Sequence, residues 1–233
     1  MRLVVDHLTR MSGQFICIAG FDEASRRYVR PLLRGSRLTT DHLASRRGVF
    51  DLGSVIDIKS VEPQPSPPEV EDLLFSLAQA SLVTQLTPAE FWRGLSGRAI
   101  PRLRIIFGDD LARDGRTCAV DPQGGKASLG CLGPSRVRIL LEPYGERRTL
   151  RLELADDDYG DLLLPVTDLR CFRAGQPDEK TINWLDEHLD QPVLLSVGLT
   201  RPYQPPGKTL RHWLQVNNIH IPRDPLWGVP VGG

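Results

Sequence analysis

The first twenty residues contain no apolar run long enough for a secretory signal or a bilayer-spanning helix, because Arg2, Asp6, His7 and Arg10 are scattered through them, so neither is expected there. The reading that follows is an intracellular, cytoplasmic protein with no membrane anchor. Net charge is also lacking. Basic and acidic side chains number 29 each, so no whole-molecule field exists to hold nucleic acid or an anionic membrane nonspecifically. Any such binding must be local. Close cysteine pairs are missing too: Cys17, Cys118, Cys131 and Cys171 stand far apart, which argues against structural zinc and leaves reduced, buried thiols as the expectation. His7, His42, His188 and His220 are equally dispersed, so no metal and no cofactor are assigned. Lysine is scarce, 4 against 25 arginines. That bias suits phosphate-reading guanidinium forks, and it is equally what a GC-rich genome would leave.

What is present is ordinary globular composition over 233 residues, 40% apolar and 25% charged, enough for one large domain or two small ones. With 21 glycines and 19 prolines, turn signals recur every several residues, a spacing that favours short strands. The chain is expected to be mainly β. Candidate strands cover 15–21, 27–32, 54–61, 102–107, 136–142, 147–154, 162–172, 193–199 and 212–221. Period-2 alternation is clear in 136–140, where Val137 and Ile139 share one face. Gly145 and Glu146 between two such runs predict a hairpin turn. Three helices are predicted. One starts at Pro68, with Glu69, Glu71 and Asp72 complementing its N-terminal dipole and Val70, Leu73, Leu74 and Leu77 facing inward. The second runs 87–95, opened by a Thr87–Glu90 capping box, and the third runs 178–189.

Periodicity breaks down near 110–125, which suggests an N-terminal unit at 1–112 with a helical insertion and a C-terminal unit at 113–233 with a proline-rich tail. The second half reads strand, strand, strand, helix, strand, strand, the order of a five-stranded barrel with its helix between the third and fourth strands. Two tandem OB-like barrels are therefore expected. The tail should pack through Leu226 and Trp227 and then fray through Pro230 to Gly233.

Particular segments sharpen that expectation. The pieces Phe15 to Asp22, Tyr28-Val29-Arg30-Pro31 and Phe50-Asp51-Leu52-Gly53 resemble the opening of the dual OB-containing domain family. Ser128-Leu129-Gly130, Val166 to Arg170, Leu195 to Arg201 and His212 to Val216 resemble its later blocks, in the same order and over nearly the whole chain. The resemblance implies two OB-like units in a bacterial, cytoplasmic protein that binds or helps to modify nucleic acid. It supplies no catalytic residues.

OB barrels bind single strands with a basic groove and aromatic faces for stacking. On a β period, Arg26, Tyr28 and Arg30 share one face, with the ring between two guanidinium groups, although an ordinary solvated strand face would look the same. Arg34, Arg37, Arg46 and Arg47 follow in a loop-rich stretch. In the second half, Arg201, Tyr203, Lys208, Arg211 and His212 surround the loop joining the last two strands, a frequent binding place in OB folds; Trp213 is better read as core. Asp22, Asp57, Asp168 and His212 are the acid/base residues available to an enzyme, but Asp168 two residues before Arg170 suits a structural ion pair. Gly124-Gly125-Lys126 lacks the earlier glycine of a phosphate loop, since position 120 is Val.

The favoured reading is a module that binds single-stranded nucleic acid or nucleotides through arginine and aromatic groove residues. The alternatives are an enzyme acting on a nucleic-acid base or nucleotide, and an adaptor for a protein partner.

Overall fold

A computed structural model describes residues 1–145 and 147–227. The first unit is one curled sheet of seven strands: β1 (Arg2–Arg10), β2 (Ile16–Asp22), β3 (Arg27–Leu33), β4 (Ser54–Ile58), β5 (Val61–Pro63), β6 (Asp72–Phe75) and β7 (Ala80–Gln85). Their spatial order is β5-β6-β3-β2-β1-β4-β7. Neighbours are antiparallel except β3 and β6. Strand β1 lies inside this sheet and is buried from Leu3 through Thr9. Its register against β2 shifts between Val5 and His7, and a bulge of this kind reverses the inward parity. Leu3 and Val5 before it, and Leu8 after it, therefore all enter the same core with Phe50, Ile56 and Phe75. The opposite face, through Val4, packs on Phe91, Leu95, Cys131 and Leu194.

Helix α1 (Pro88–Ser96) follows the sheet and opens as its sequence predicts: Thr87 Oγ1 accepts from Glu90 N, and Glu90 Oε2 accepts from Thr87 N at 2.9 Å. Phe91 and Leu95, four residues apart, are its buried stripe. Beyond it, Ile100 pairs with Leu132, and the short helix α2 (Leu103–Phe107) sends Leu103 and Phe107 into the core of the second unit.

That unit contains β8 (Ala112–Asp114), β9 (Thr117–Val120), β10 (Leu129–Leu132), β11 (Val137–Tyr144), β12 (Arg147–Asp156), β13 (Gly160–Pro165), β14 (Phe172–Arg173), β15 (Gln176–Pro177), α3 (Glu179–Asp186), β16 (Leu194–Leu199) and β17 (His212–His220). A five-stranded sheet, β10-β16-β17-β9-β8, and a three-stranded one, β11-β12-β13, enclose Leu152, Leu162, Val197, Leu214 and Val216. The predicted hairpin is present, with β11 and β12 paired from Val137↔Leu154 to Tyr144↔Arg147. Gly145 takes a φ of 60° in its turn, while Glu146 falls outside the described residues. Trp227 is buried and donates Nε1–H to Ile219 O at 2.8 Å; the expected fraying from Pro230 onward concerns residues outside those described.

Several expectations need correcting. In the expected strand 102–107, Leu103–Phe107 forms a helix, with Leu103 and Phe107 buried at helical spacing while Ile105 is exposed. The helix predicted from Pro68 is absent; Asp72–Phe75 instead pairs parallel with Arg30–Leu33 as β6. The stretch 110–125, read as irregular, contains the β8–β9 hairpin. Strands β1 and β7 were not anticipated. Cys118, Cys131 and Cys171 are buried, whereas Cys17 is half-buried.

Candidate ligand cleft between the two units

The units meet where β1 lies against β17. Leu8 N donates to Asn218 Oδ1 at 2.7 Å, and Asn218 Nδ2 donates back to Leu8 O at 3.1 Å. Ser196 Oγ donates to Asp6 O at 2.6 Å. Gln215 Nε2 donates to Asn217 Oδ1 at 2.8 Å, so Asn217 Nδ2 is left to donate to His7 Nδ1 at 3.0 Å. That assignment puts the imidazole proton on Nε2, which faces Asp6 Oδ1 at 3.6 Å. Asn217 needs the glycine at 198, where a β-carbon would lie 2.5 Å from its Nδ2. Burial pushes the His7 pKa down to about 4, against the pull of Asp6, so the ring is neutral at pH 7. Asp6 is instead paired with Arg98, Nη2 to Oδ2 at 2.6 Å. Burial alone would loosen the Arg98 proton, and Asp6 together with Tyr28 and Cys131 more than reverses this.

Arg98 leads from this seam into a cleft of about 550 Å³. The first unit contributes Arg27 and Tyr28 of β3 with Val70 and Glu71, and the second contributes Ile106, Lys126, Leu129 and Gly130. Glycine at 130 lets α2 lie on β10, since a β-carbon there would overlap Ile106 Cγ2. The Tyr28 ring is held edge-on by His7 and Phe21, with centroids at 5.5 and 5.4 Å. Burial and then Asp6 raise its phenol pKa; Arg98 lies beside the hydroxyl, which has no hydrogen-bond partner among the described residues. Glu71 accepts from Ser128 N at 2.9 Å and Ser128 Oγ at 2.7 Å, and burial raises its pKa despite those bonds. Arg27 and Lys126 are exposed and form no ion pair among the described residues.

The residues singled out in the sequence are distributed differently. Arg26 sits in a turn with φ 54°, ahead of the strand that carries Tyr28 and Arg30. Arg30 is 4% exposed and donates Nε–H to Asp72 Oδ1 at 2.6 Å. Arg201 reaches from the second unit to Asp72 at 2.7 Å and Glu69 at 3.1 Å. Lys208 pairs with Asp114, and Arg211 with Asp121 at 2.7 Å. His212 is buried, its Nδ1 2.9 Å from Thr200 O and 3.5 Å from Glu69 Oε1. Tyr203 in that loop shows a broad face, 55% exposed. Trp213 is buried and donates Nε1–H to Tyr203 O at 2.9 Å. In the first half, Arg34 pairs with Glu62, Arg46 with Asp41, and Arg37 lies over Phe15.

The acid/base candidates are also dispersed. Asp22 holds the Ser25 turn, and Asp57 faces the Met1 amino group. Asp168 is fully buried and binds Arg170 through both oxygens, at 3.0 and 2.8 Å. Arg170 in turn lies 3.8 Å from the Trp227 ring centroid. The cleft residues Arg98 and Lys126 were not foreseen as site residues. The signal available was Lys126 beside two glycines, set aside because it failed the phosphate-loop spacing.

Two curled β units joined along a polar seam define a dual OB protein. The family model of the dual OB-containing domain matches residues 1–219, and the chain belongs to that family. Comparison with curated proteins finds no match. No helix among the described residues is long and apolar enough to cross a membrane.

Proposed function

We propose that the protein binds nucleic acid or nucleotides in the cleft between its two units, in the setting of the bacterial cytoplasm that its family implies. The observation that carries this reading is the pairing of Arg27, from the first unit, with Lys126, from the second, on one cavity whose remaining walls are largely apolar. Cations not committed to a carboxylate are available to a phosphate, and apolar walls suit the faces of a base. Arg201, Lys208 and Arg211 support the reading less, because using them means breaking internal ion pairs. Tyr203 is available for stacking at a second contact on a longer strand.

The test is a salt titration of single-stranded oligonucleotide binding followed by fluorescence anisotropy. Each phosphate neutralised contributes about 0.7 to the log–log slope. The double substitution Arg27→Ala with Lys126→Ala should weaken binding and flatten the slope by at least about 0.7, while Arg211→Ala should leave the slope unchanged. Failure to bind either an oligonucleotide or a nucleotide at low salt, or a slope indifferent to Arg27 and Lys126, would defeat the proposal.

A further inference from the structure

We infer that the cleft takes a single nucleotide bearing a terminal phosphate monoester, either free or at the end of a strand, and not an internal stretch of backbone. This deepens the binding reading above and rests on it. Size is the first argument. A cavity of about 550 Å³ falls within the roughly 300–1,000 Å³ of small-molecule sites, whereas strand-binding OB surfaces track about 4–16 nucleotides.

Charge is the second argument. Arg98 is compensated from behind by Asp6 and the Glu71 carboxylate is hydrogen-bonded to Ser128, while Arg27 and Lys126 are lining cations with no carboxylate partner among the described residues. An internal diester offers one negative charge, while a monoester carries about −1.5 to −2 at neutral pH and three acceptor oxygens. The monoester gives two cations from different units more charge and more oxygens to share. Val70 and Ile106, facing the cavity from different units, can then cover the two faces of one base.

The experiment uses the full-length chain and two sets of probes. Calorimetry with the ribonucleoside 5′-monophosphates and the matching nucleosides should give at least about tenfold tighter binding with the phosphate present, a contrast that Lys126→Ala reduces and the Arg27→Ala, Lys126→Ala double substitution abolishes. Val70 is exposed, so Val70→Trp should block the cleft and remove binding without lowering the melting temperature. Anisotropy with an oligonucleotide of about 12 residues, with and without a 5′-phosphate, identifies the source. Monophosphates that bind more tightly than the phosphorylated strand indicate a free nucleotide; a phosphorylated strand that binds more tightly than the monophosphates indicates a strand end. Equal binding of both strands without competition by monophosphates, yet still weakened by the Arg27 and Lys126 substitutions, would overturn this inference and leave the cleft reading intact. No binding of any probe would overturn both.

Discussion

Asn218 satisfies both backbone polar groups of Leu8, accepting from its N–H at 2.7 Å and donating to its carbonyl at 3.1 Å. Two side-chain bonds thus stand where β1 would otherwise need another strand, and they join residues 210 positions apart. A buried backbone group without a partner costs about 1–3 kcal/mol. Asn218→Ala strands two of them, so unfolding in urea should show a loss of roughly 3 kcal/mol. A loss below the measurement error would mean that the seam relaxes without this residue.

The pH dependence follows from His7. Its folded pKa, about 4, lies below the ordinary 6.5, so between these values the unfolded chain binds a proton that the folded chain refuses. Stability is complete above pH 6.5 and falls as the pH drops toward 4, by roughly 3 kcal/mol for this group alone. Burial depresses the His220 pKa as well, which adds in the same direction. Urea unfolding at a series of pH values should show the decline, and His7→Gln should reduce it. An imidazole resonance of His7 that titrates near pH 6.5 would contradict this.

Breaking the Asp168–Arg170 pair should be costly. Asp168 also accepts from Ile219 N at 3.0 Å, and Arg170 donates to Ile219 O at 2.8 Å and Trp227 O at 3.0 Å. Asp168→Ala leaves a largely buried guanidinium without its counter-ion, a change of about 3–5 kcal/mol. Trp227 fluorescence should shift with it, because that ring packs on Arg170. Arg170→Lys should not restore the wild-type value, since an ammonium cannot form the fork or the flat stack.

Arg201 tests whether the last long loop acts between the units. Asp72 lies between Arg30, from its own unit, and Arg201, from the other. Arg201 is itself 45% exposed, and solvent screening limits what it contributes to about 1 kcal/mol. Arg201→Ala should therefore lower stability modestly and leave the salt slope of oligonucleotide binding unaltered. A flatter slope would return this loop to the binding surface.

Local chemistry was legible in the sequence. The Thr87–Glu90 box found its helix, because capping is decided within four residues. The β11–β12 hairpin was legible for the same reason. Long-range competition was not. Glu69, Glu71 and Asp72 read as acids at a helix start, but they hold Arg201, Ser128 and Arg30 from elsewhere in the fold. Leu103, Ile105 and Phe107 fit a period of two, yet the pair four apart is the one buried. Strand β1 was obscured by Asp6 and His7, polar residues buried in a seam that a single sequence does not display. The cleft was illegible on the same ground, since Arg27 and Lys126 are brought together only when the units pack.

A hollow with one wall from each unit exists only while the two are docked. Whatever fills it must oppose their separation, so occupancy and docking rise together, and the occupant acts as a clasp. A ligand bound there should slow proteolytic nicking of the segment around Arg98 that joins the halves, even though that segment makes up only a small part of the cavity wall.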